Sequence, residues 1–230
     1  MASGPGAPST RTRLRREPAR GAYDRATIDA ILDEALVCHL GFVDDGQPVV
    51  IPTLHARRGN ELLVHGSSAS RALRLAGAGA PVCVTVTLID GLVLARSVFE
   101  HSVNYRSVVV LGEARVLDDP DEKLGALRAL TEQLVPGRWP DVRAPNRKEL
   151  RATAVLELPI DEASAKIRRG PPGDGDGPDR EWPAWCGEIP LRTVAGPPRP
   201  DPGRAVDAPA PDYVARYRRP GWDGVVDGHG

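Results

Sequence analysis

Apolar residues recur along the first half of the chain with two periods. Behind Asp24, a residue suited to cap a helix start, Ile28, Ile31, Leu32, Ala35 and Leu36 share one face at the i, i+3, i+4, i+7 spacing. The period then drops to two. Val37 to Val43, a turn at Asp44-Asp45-Gly46-Gln47, Pro48 to Arg57, a turn at Arg58-Gly59-Asn60 and Glu61 to His65 read as hairpin-linked antiparallel strands. Beyond a Ser-rich turn, Ser70 to Ala76 predicts a short helix and Val82 to Ile89 a strand. Asp90-Gly91 predicts a turn into Leu92 to Val98, and Tyr105 to Leu117 is the longest strand. Asp119, Pro120 and Glu122 open a helix of the D-x-x-E type, with Leu124, Leu127, Leu130 and Leu134 on its apolar face. Ala152 to Leu158 closes the set. At least six short strands against three helices predict a mainly β chain folded as a small antiparallel barrel.

Outside this body the pattern stops. Residues 1–20 are rich in Gly, Pro, Ser and Arg without an apolar period, which predicts a disordered arm. Residues 21–165 are expected to form the barrel domain. Residues 166–195 form an extension carrying the island Trp182-Pro183-Ala184-Trp185-Cys186-Gly187-Glu188-Ile189-Pro190-Leu191. Aromatics of this size in a loop-rich segment dock on something, either the body near its site or a structural clasp. From 196 to 230 Pro and Gly dominate, and that tail is expected to be mostly disordered.

Bulk properties then exclude some functions. A formal net charge of −1 lacks the basic surplus that a non-specific nucleic-acid binder needs, so no nucleic-acid partner is expected. No run of about 18 apolar residues is present, so no membrane partner is expected. The polar start from Met1 to Thr10 lacks the apolar core of a signal peptide. The Cys residues at 38, 83 and 186 are odd in number and dispersed, which argues against a disulfide framework and for a cytoplasmic location. Cys83, within Val-Cys-Val-Thr-Val, is expected to be buried and inert. His39, His55 and His101 have neither i, i+4 spacing nor Cys or carboxylate partners, so no metal site is expected.

Two stretches set anion-binding chemistry at the ends of β-forming runs. Leu63-Val64-His65-Gly66-Ser67-Ser68-Ala69-Ser70-Arg71 turns from a strand through serines into a helix start. Asn104-Tyr105-Arg106-Ser107 opens the long strand. Backbone N–H groups, hydroxyls and an Arg fork suit a phosphate, which suggests a nucleotide-like cofactor. Simpler roles stay open: Arg71 as a solvated helix residue, Arg106 as the partner of a carboxylate across the sheet, Lys166 as a surface charge. His65 shares a strand face with Glu61 and Leu63 by alternation. It is either a hydrogen-bonded rim residue or a group over the cofactor, where an imidazole donates a proton or orients substrate.

In this order of elements, His65-Gly66-Ser67, Ser70-Arg71, Asp90-Gly91, Asn104-Tyr105-Arg106-Ser107 and Ser164-Ala165-Lys166-Ile167-Arg168 resemble the pyridoxamine 5′-phosphate oxidase-like FMN-binding split barrels. The closer likeness is to the flavin-nucleotide-binding branch that includes nitroimidazole-resistance-type reductases, and it spans about residues 20 to 195. The resemblance implies a six-stranded antiparallel split β-barrel, a homodimer, and FMN at the subunit interface. It implies cofactor contacts at Pro52, Thr53, His65, Gly66, Ser67, Ser70, Arg71, Asn104, Tyr105, Arg106, Ser107, Lys166 and Trp185, with His65 the catalytic candidate. Ser70-Arg71 would hold the phosphate, while Arg106 and Ser107 would meet the flavin edge.

Departures from the oxidase pattern refine this expectation. Ala72 replaces a Lys that often follows Ser-Arg, Ile51 replaces an Arg of the second strand, and Ser107 replaces a Gln. Pro52-Thr53 resembles the branch's local substitute, by backbone and hydroxyl. The C-terminal Arg-Leu-x-Pro segment is absent, the chain ending Val226-Asp227-Gly228-His229-Gly230, so true pyridoxamine 5′-phosphate oxidase activity is not expected. The resemblance implies an FMN-dependent oxidoreductase that moves electrons from a reduced nicotinamide or similar donor to a small organic acceptor. The alternative is a non-catalytic protein of the same fold that binds a flavin, a deazaflavin or haem, with His65 or His101 as axial ligand.

Overall fold

The computed structural model describes residues 6–176, 178–203 and 209–218. Its backbone reverses at Asp45-Gly46 (φ 49° and 75°) and at Gly59 (φ 61°), left-handed positions where glycine is unstrained. These turns join β2 (Val37–Asp44), β3 (Gln47–Arg58) and β4 (Glu61–Ser67) as antiparallel neighbours. The other strands are β1 (Gly21–Ala22), β5 (Ala78–Leu94), β6 (Ser102–Val116), β7 (Thr153–Pro159), β8 (Glu162–Arg168) and β9 (Gly187–Pro190). The helices are α1 (Arg25–Glu34), α2 (Arg71–Gly77), α3 (Pro120–Leu134), α4 (Arg147–Ala152) and α5 (Asp212–Ala215).

Six strands close a ring in the order β2, β3, β4, β7, β6, β5 and back to β2, every pairing antiparallel. The β6–β7 seam consists of Arg115 opposite Glu157 and Val116 opposite Leu156. Further along that edge β6 pairs instead with β8, from Leu111 to Tyr105, so the barrel is split. β1 adds to β8 and β9 adds to β5, giving nine strands among the described residues around the expected six-stranded ring.

Local chemistry sets the helices. The Asp24 carboxylate accepts the Thr27 N–H at 2.8 Å and starts α1, while Asp119 accepts from Asp121 and Glu122 and starts α3. Glu122 does not complete a capping box, because its carboxylate reaches Arg115. The full box forms instead at Asn146 and Glu149, which open α4. The turn expected at Asp90-Gly91 is a bulge: the register shifts between Ile89 and Gly91 and β5 runs on to Leu94. A Cβ at Gly91 would lie 3.0 Å from the Ile189 carbonyl oxygen, so the bare glycine lets β9 approach.

The barrel interior is one core. Cys38, Leu40 and Phe42 of β2 meet Val82, Val84 and Val86 of β5 and Val108 and Val110 of β6, with Ile28, Ile31 and Leu32 of α1 and Leu73 of α2 closing it. Burial pushes the Cys38 thiol up to about 12, an inert group. A second, smaller core lies outside the ring, where Ala126 and Leu130 of α3 cover Ala56, Leu63 and Val155. α3 therefore packs on β3, β4 and β7 and leaves the outer face of β6 bare of helix. Cys83 was expected inside; alternation turns it outward and half-exposed, because Val82 and Val84 take the inner positions.

The flanking segments make specific contacts. Thr12 is buried, Arg11 pairs with Glu162, and the Leu14 N–H donates to the Tyr23 hydroxyl at 3.0 Å. In the C-terminal region, the Tyr213 hydroxyl donates to Asp141 at 2.6 Å. The terminal Val226 to Gly230 lie outside the described residues, as do 204–208 of the tail. No described helix is long and apolar enough to cross a membrane.

Candidate functional site

The residues singled out from sequence occupy several distinct settings. In the Ser-rich loop the hydroxyls serve the local backbone: Ser67 Oγ accepts the Ala69 N–H at 3.2 Å, and Ser70 accepts from Leu73 as the cap of α2. Arg71 is exposed, with its Nε 2.9 Å from Asp44. Gly66 lies beneath α2, where a Cβ would come within 2.8 Å of Leu73 Cδ1. Pro52 and Thr53 lie on β3 opposite His39 and Cys38.

Arg106 is clamped between two carboxylates. Its Nε and Nη2 donate to Asp90 at 2.9 and 2.7 Å, Nη2 also donates to Glu34 at 2.8 Å, and Nη1 donates to the other Glu34 oxygen. Its fork is thus engaged within the chain, the carboxylate pairing across the sheet that its position left open. These bonds hold its pKa far above the usual guanidinium value, first through Glu34 and then Asp90.

Asn104 is buried in a network at the end of the barrel. It accepts from Arg168 Nη1 and donates to the Gly170 carbonyl and to Glu188. Asp174, also buried, accepts the Arg96 and Ser97 N–H groups at 2.5 and 3.2 Å. This stitching fastens the extension to the barrel, and β9 pairs along β5 beside it. Asn104 thus serves the clasp instead of presenting a free amide. Trp185 lies against Gly187 and, like Trp182, is about two-thirds exposed.

Tyr105, Ser107 and Lys166 belong to the outer face of the ring. Ser107 lies opposite Thr87 on one side and Lys166 on the other, and its hydroxyl donates to the Val86 carbonyl at 2.9 Å. Lys166 is half-exposed and makes no ion pair with a described residue. The rows of this face follow from register: Pro52, His39, Thr85, Val109 and Ser164 in one, and Val50, Gly41, Cys83 and Leu111 in the next. Val37, Val43 and Val50 are 45, 58 and 63 % exposed there. A broad sheet face is thus left bare of helix, with its exposed valines flanked by Lys166, Glu162 and Glu113.

His65 occupies the boundary between that bare face and the half covered by α3. It lines a cleft of about 540 Å³ with Leu54 of β3 and with Leu127, Leu130, Thr131 and Leu134 of α3. The segment between α3 and α4 supplies Trp139, Val142, Arg143 and Pro145, and Glu149 stands at the start of α4. That segment is pinned by Glu132, whose carboxylate accepts the Gly137 and Trp139 N–H groups at 2.6 and 2.8 Å. Leu54 pairs across to exposed Val37, so the cleft runs on into the bare face. His65 Nδ1 is buried without a hydrogen-bond partner, and burial lowers the ring's pKa below the usual imidazole value. The imidazole is therefore neutral near pH 7, the form that binds a metal. His101 differs: it is exposed, with Nδ1 2.8 Å from the Ser97 carbonyl.

The cleft was not anticipated apart from His65. Its signal lay in α3, whose Leu127 and Leu134 sit on the predicted apolar face yet are not fully covered within the chain. A planar apolar group fits such a donor set: leucine walls, one Trp, and one neutral imidazole with an unsatisfied ring nitrogen. A flavin fits the outer face, where hydroxyls and a lone ammonium interrupt an apolar surface.

Comparison with known proteins agrees with the fold. The pyridoxamine 5′-phosphate oxidase family model matches residues 24–167. The flavocytochrome Anf3 from Azotobacter vinelandii is 42 % identical, covers 93 % of this chain and 99 % of its own, and superposes with a TM-score of 0.88. An FAD and heme binding protein from Mycobacterium smegmatis is 41 % identical, with 85 % and 95 % covered and a TM-score of 0.81. A candidate 5-nitroimidazole antibiotic resistance protein from Bacteroides thetaiotaomicron shares the fold at 22 % identity, with 64 % and 86 % covered and a TM-score of 0.55. Among curated proteins none matches the chain.

Proposed function

We propose, for a chain that belongs to the pyridoxamine 5′-phosphate oxidase family, that it is a flavocytochrome-like redox protein with haem in the cleft beneath α3 and a flavin on the adjoining outer face. The observation that carries this reading is His65: a neutral, half-buried imidazole that lines an apolar cleft, its Nδ1 buried and without a hydrogen-bond partner. Two proteins about two-fifths identical over most of this chain, one a flavocytochrome and one an FAD and heme binding protein, support it. When bound, a flavin accepts a hydride from a reduced nicotinamide or similar donor, and haem passes electrons singly to a small acceptor.

In this reading His65 would hold the haem iron, and Leu54, Leu127 and Leu134 would keep water from it. Lys166, Ser107 and Thr87 would offer a cation and hydroxyls to the flavin. FAD is favoured over the FMN or deazaflavin alternatives because the M. smegmatis relative is an FAD and heme binding protein. The bare outer face is covered by a second copy, because burying exposed Val37, Val43 and Val50 removes apolar surface from water. The homodimer so formed encloses the cofactor between subunits.

The visible spectrum of the purified full chain tests this directly. A Soret band together with flavin bands is expected, with FAD released on denaturation. His65→Ala should abolish the Soret band and keep the flavin. A protein that takes up no added haem, or a Soret band indifferent to His65→Ala, would defeat the reading. Light scattering should return a dimer at micromolar concentration.

A further inference from the structure

Arg143 and Glu149 are the only strongly ionised groups among the cleft-lining residues, the remainder being apolar apart from Thr131 and neutral His65. They hold each other in a bidentate pair, Nη1 to Oε2 at 2.8 Å and Nη2 to Oε1 at 2.6 Å. Glu149 has a second function, since its carboxylate also accepts the Asn146 N–H at 2.8 Å and so completes the capping box of α4. Arg143 has little else: a long 3.2 Å bond to the Ala144 carbonyl, and a side chain 72 % exposed. One member of the pair is anchored and the other is free to leave. The Arg fork matches any carboxylate bidentately.

The geometry points to Arg143 as the specificity residue of the cleft, which exchanges Glu149 for an edge carboxylate of a planar apolar ligand, the propionate of a haem-type porphyrin. The inference rests on the haem reading of this cleft. The exchange replaces one bidentate pair with another, and Glu149 keeps its Asn146 N–H, so no charge is stranded in an apolar setting. A ligand with the same ring but neutral edges gains nothing from Arg143. Glu149 also acts as an internal competitor that holds affinity down.

The test compares haemin with haemin dimethyl ester, which keeps the iron and ring but carries no carboxylate, titrated into the cofactor-stripped full chain and followed by the Soret band. Arg143→Ala should weaken haemin binding about two- to five-fold and leave the diester unchanged. Glu149→Gln retains an acceptor for Asn146, as glutamine does in capping boxes, and should tighten haemin binding a few-fold. The inference is overturned if folded Arg143→Ala binds both probes like the wild type. Should that variant not fold, an unchanged haemin affinity in Glu149→Gln overturns it instead. A wild type that takes up neither probe refutes the haem reading itself, a separate outcome.

Discussion

Arg106 offers a clean separation between a structural role and a cofactor role. Its guanidinium joins Glu34 at the end of α1 to Asp90 at the β5 bulge, and all three side chains are only 20 to 29 % exposed. Arg106→Met keeps the stem volume but leaves two carboxylates facing each other without a cation. Removing one member of a buried ion pair costs about 3–5 kcal/mol, and the partial exposure here brings the expectation down to about 2–3 kcal/mol. For a chain of this size that lowers Tm by roughly 5–10 °C. Neutralising the stranded acids as well, in Arg106→Met with Glu34→Gln and Asp90→Asn, should recover more than half the loss, because no unpaired charge remains. The assay is thermal unfolding of the flavin-free protein by circular dichroism, with flavin affinity measured separately well below the transition. If Arg106→Met leaves Tm within about 1 °C of wild type while flavin binding collapses, the clamp assignment is wrong and the flavin-edge role stands.

Three further outcomes follow from the geometry. Gly66→Ala puts a Cβ within 2.8 Å of Leu73 Cδ1 and should destabilise by about 1–3 kcal/mol, with partial rescue by Leu73→Val, measured by urea unfolding. Asn104→Ala leaves buried Arg168 only the Gly170 and Pro171 carbonyls and should cost about 1–2 kcal/mol, seen as faster proteolytic cleavage within residues 170–190 before the barrel is attacked. Lys166→Ala should lower flavin affinity about tenfold without changing Tm of the flavin-free protein; an unchanged affinity removes Lys166 from the flavin site.

The parts of the fold that could be read in advance are those fixed by near neighbours. Asp24 and Asp119 cap helices through N–H groups two or three residues away, and Ile28, Ile31 and Leu32 are buried as their spacing requires. The Asp44–Gly46 and Gly59 turns are equally local. What escaped depends on distant partners. Arg106 meets Glu34 72 positions away, and Asn104 meets Glu188 84 positions away, so neither role could be told from a ligand role by local chemistry. Cys83 was placed on the wrong face because Val-Cys-Val-Thr-Val is apolar in both phases; only pairing with Gly41 and Leu111 fixes it outward. β8 was hidden because Glu162-Ala163-Ser164-Ala165-Lys166 has few β-branched residues, and it forms by adding to the free edge of β6.

The position of His65 follows from how one helix divides the barrel surface. A closed ring has an outer face that a single chain must cover or expose, and α3 spans only β3, β4 and β7. Where its cover ends, side chains on the helix's apolar stripe overhang the sheet without meeting partners, which is the situation of Leu127 and Leu134. A polar ring placed there has one nitrogen cut off from water and no protein partner to replace it. That arrangement costs free energy in the isolated chain, since a buried unpaired polar atom is penalised by about 1–3 kcal/mol. In the proposed function an apolar ligand filling the cleft and an iron meeting the imidazole would offset that cost. A haem supplies both, and a second copy on the adjoining bare face would seal it. The same chain that leaves His65 poorly satisfied alone is therefore suited to hold it in a loaded assembly.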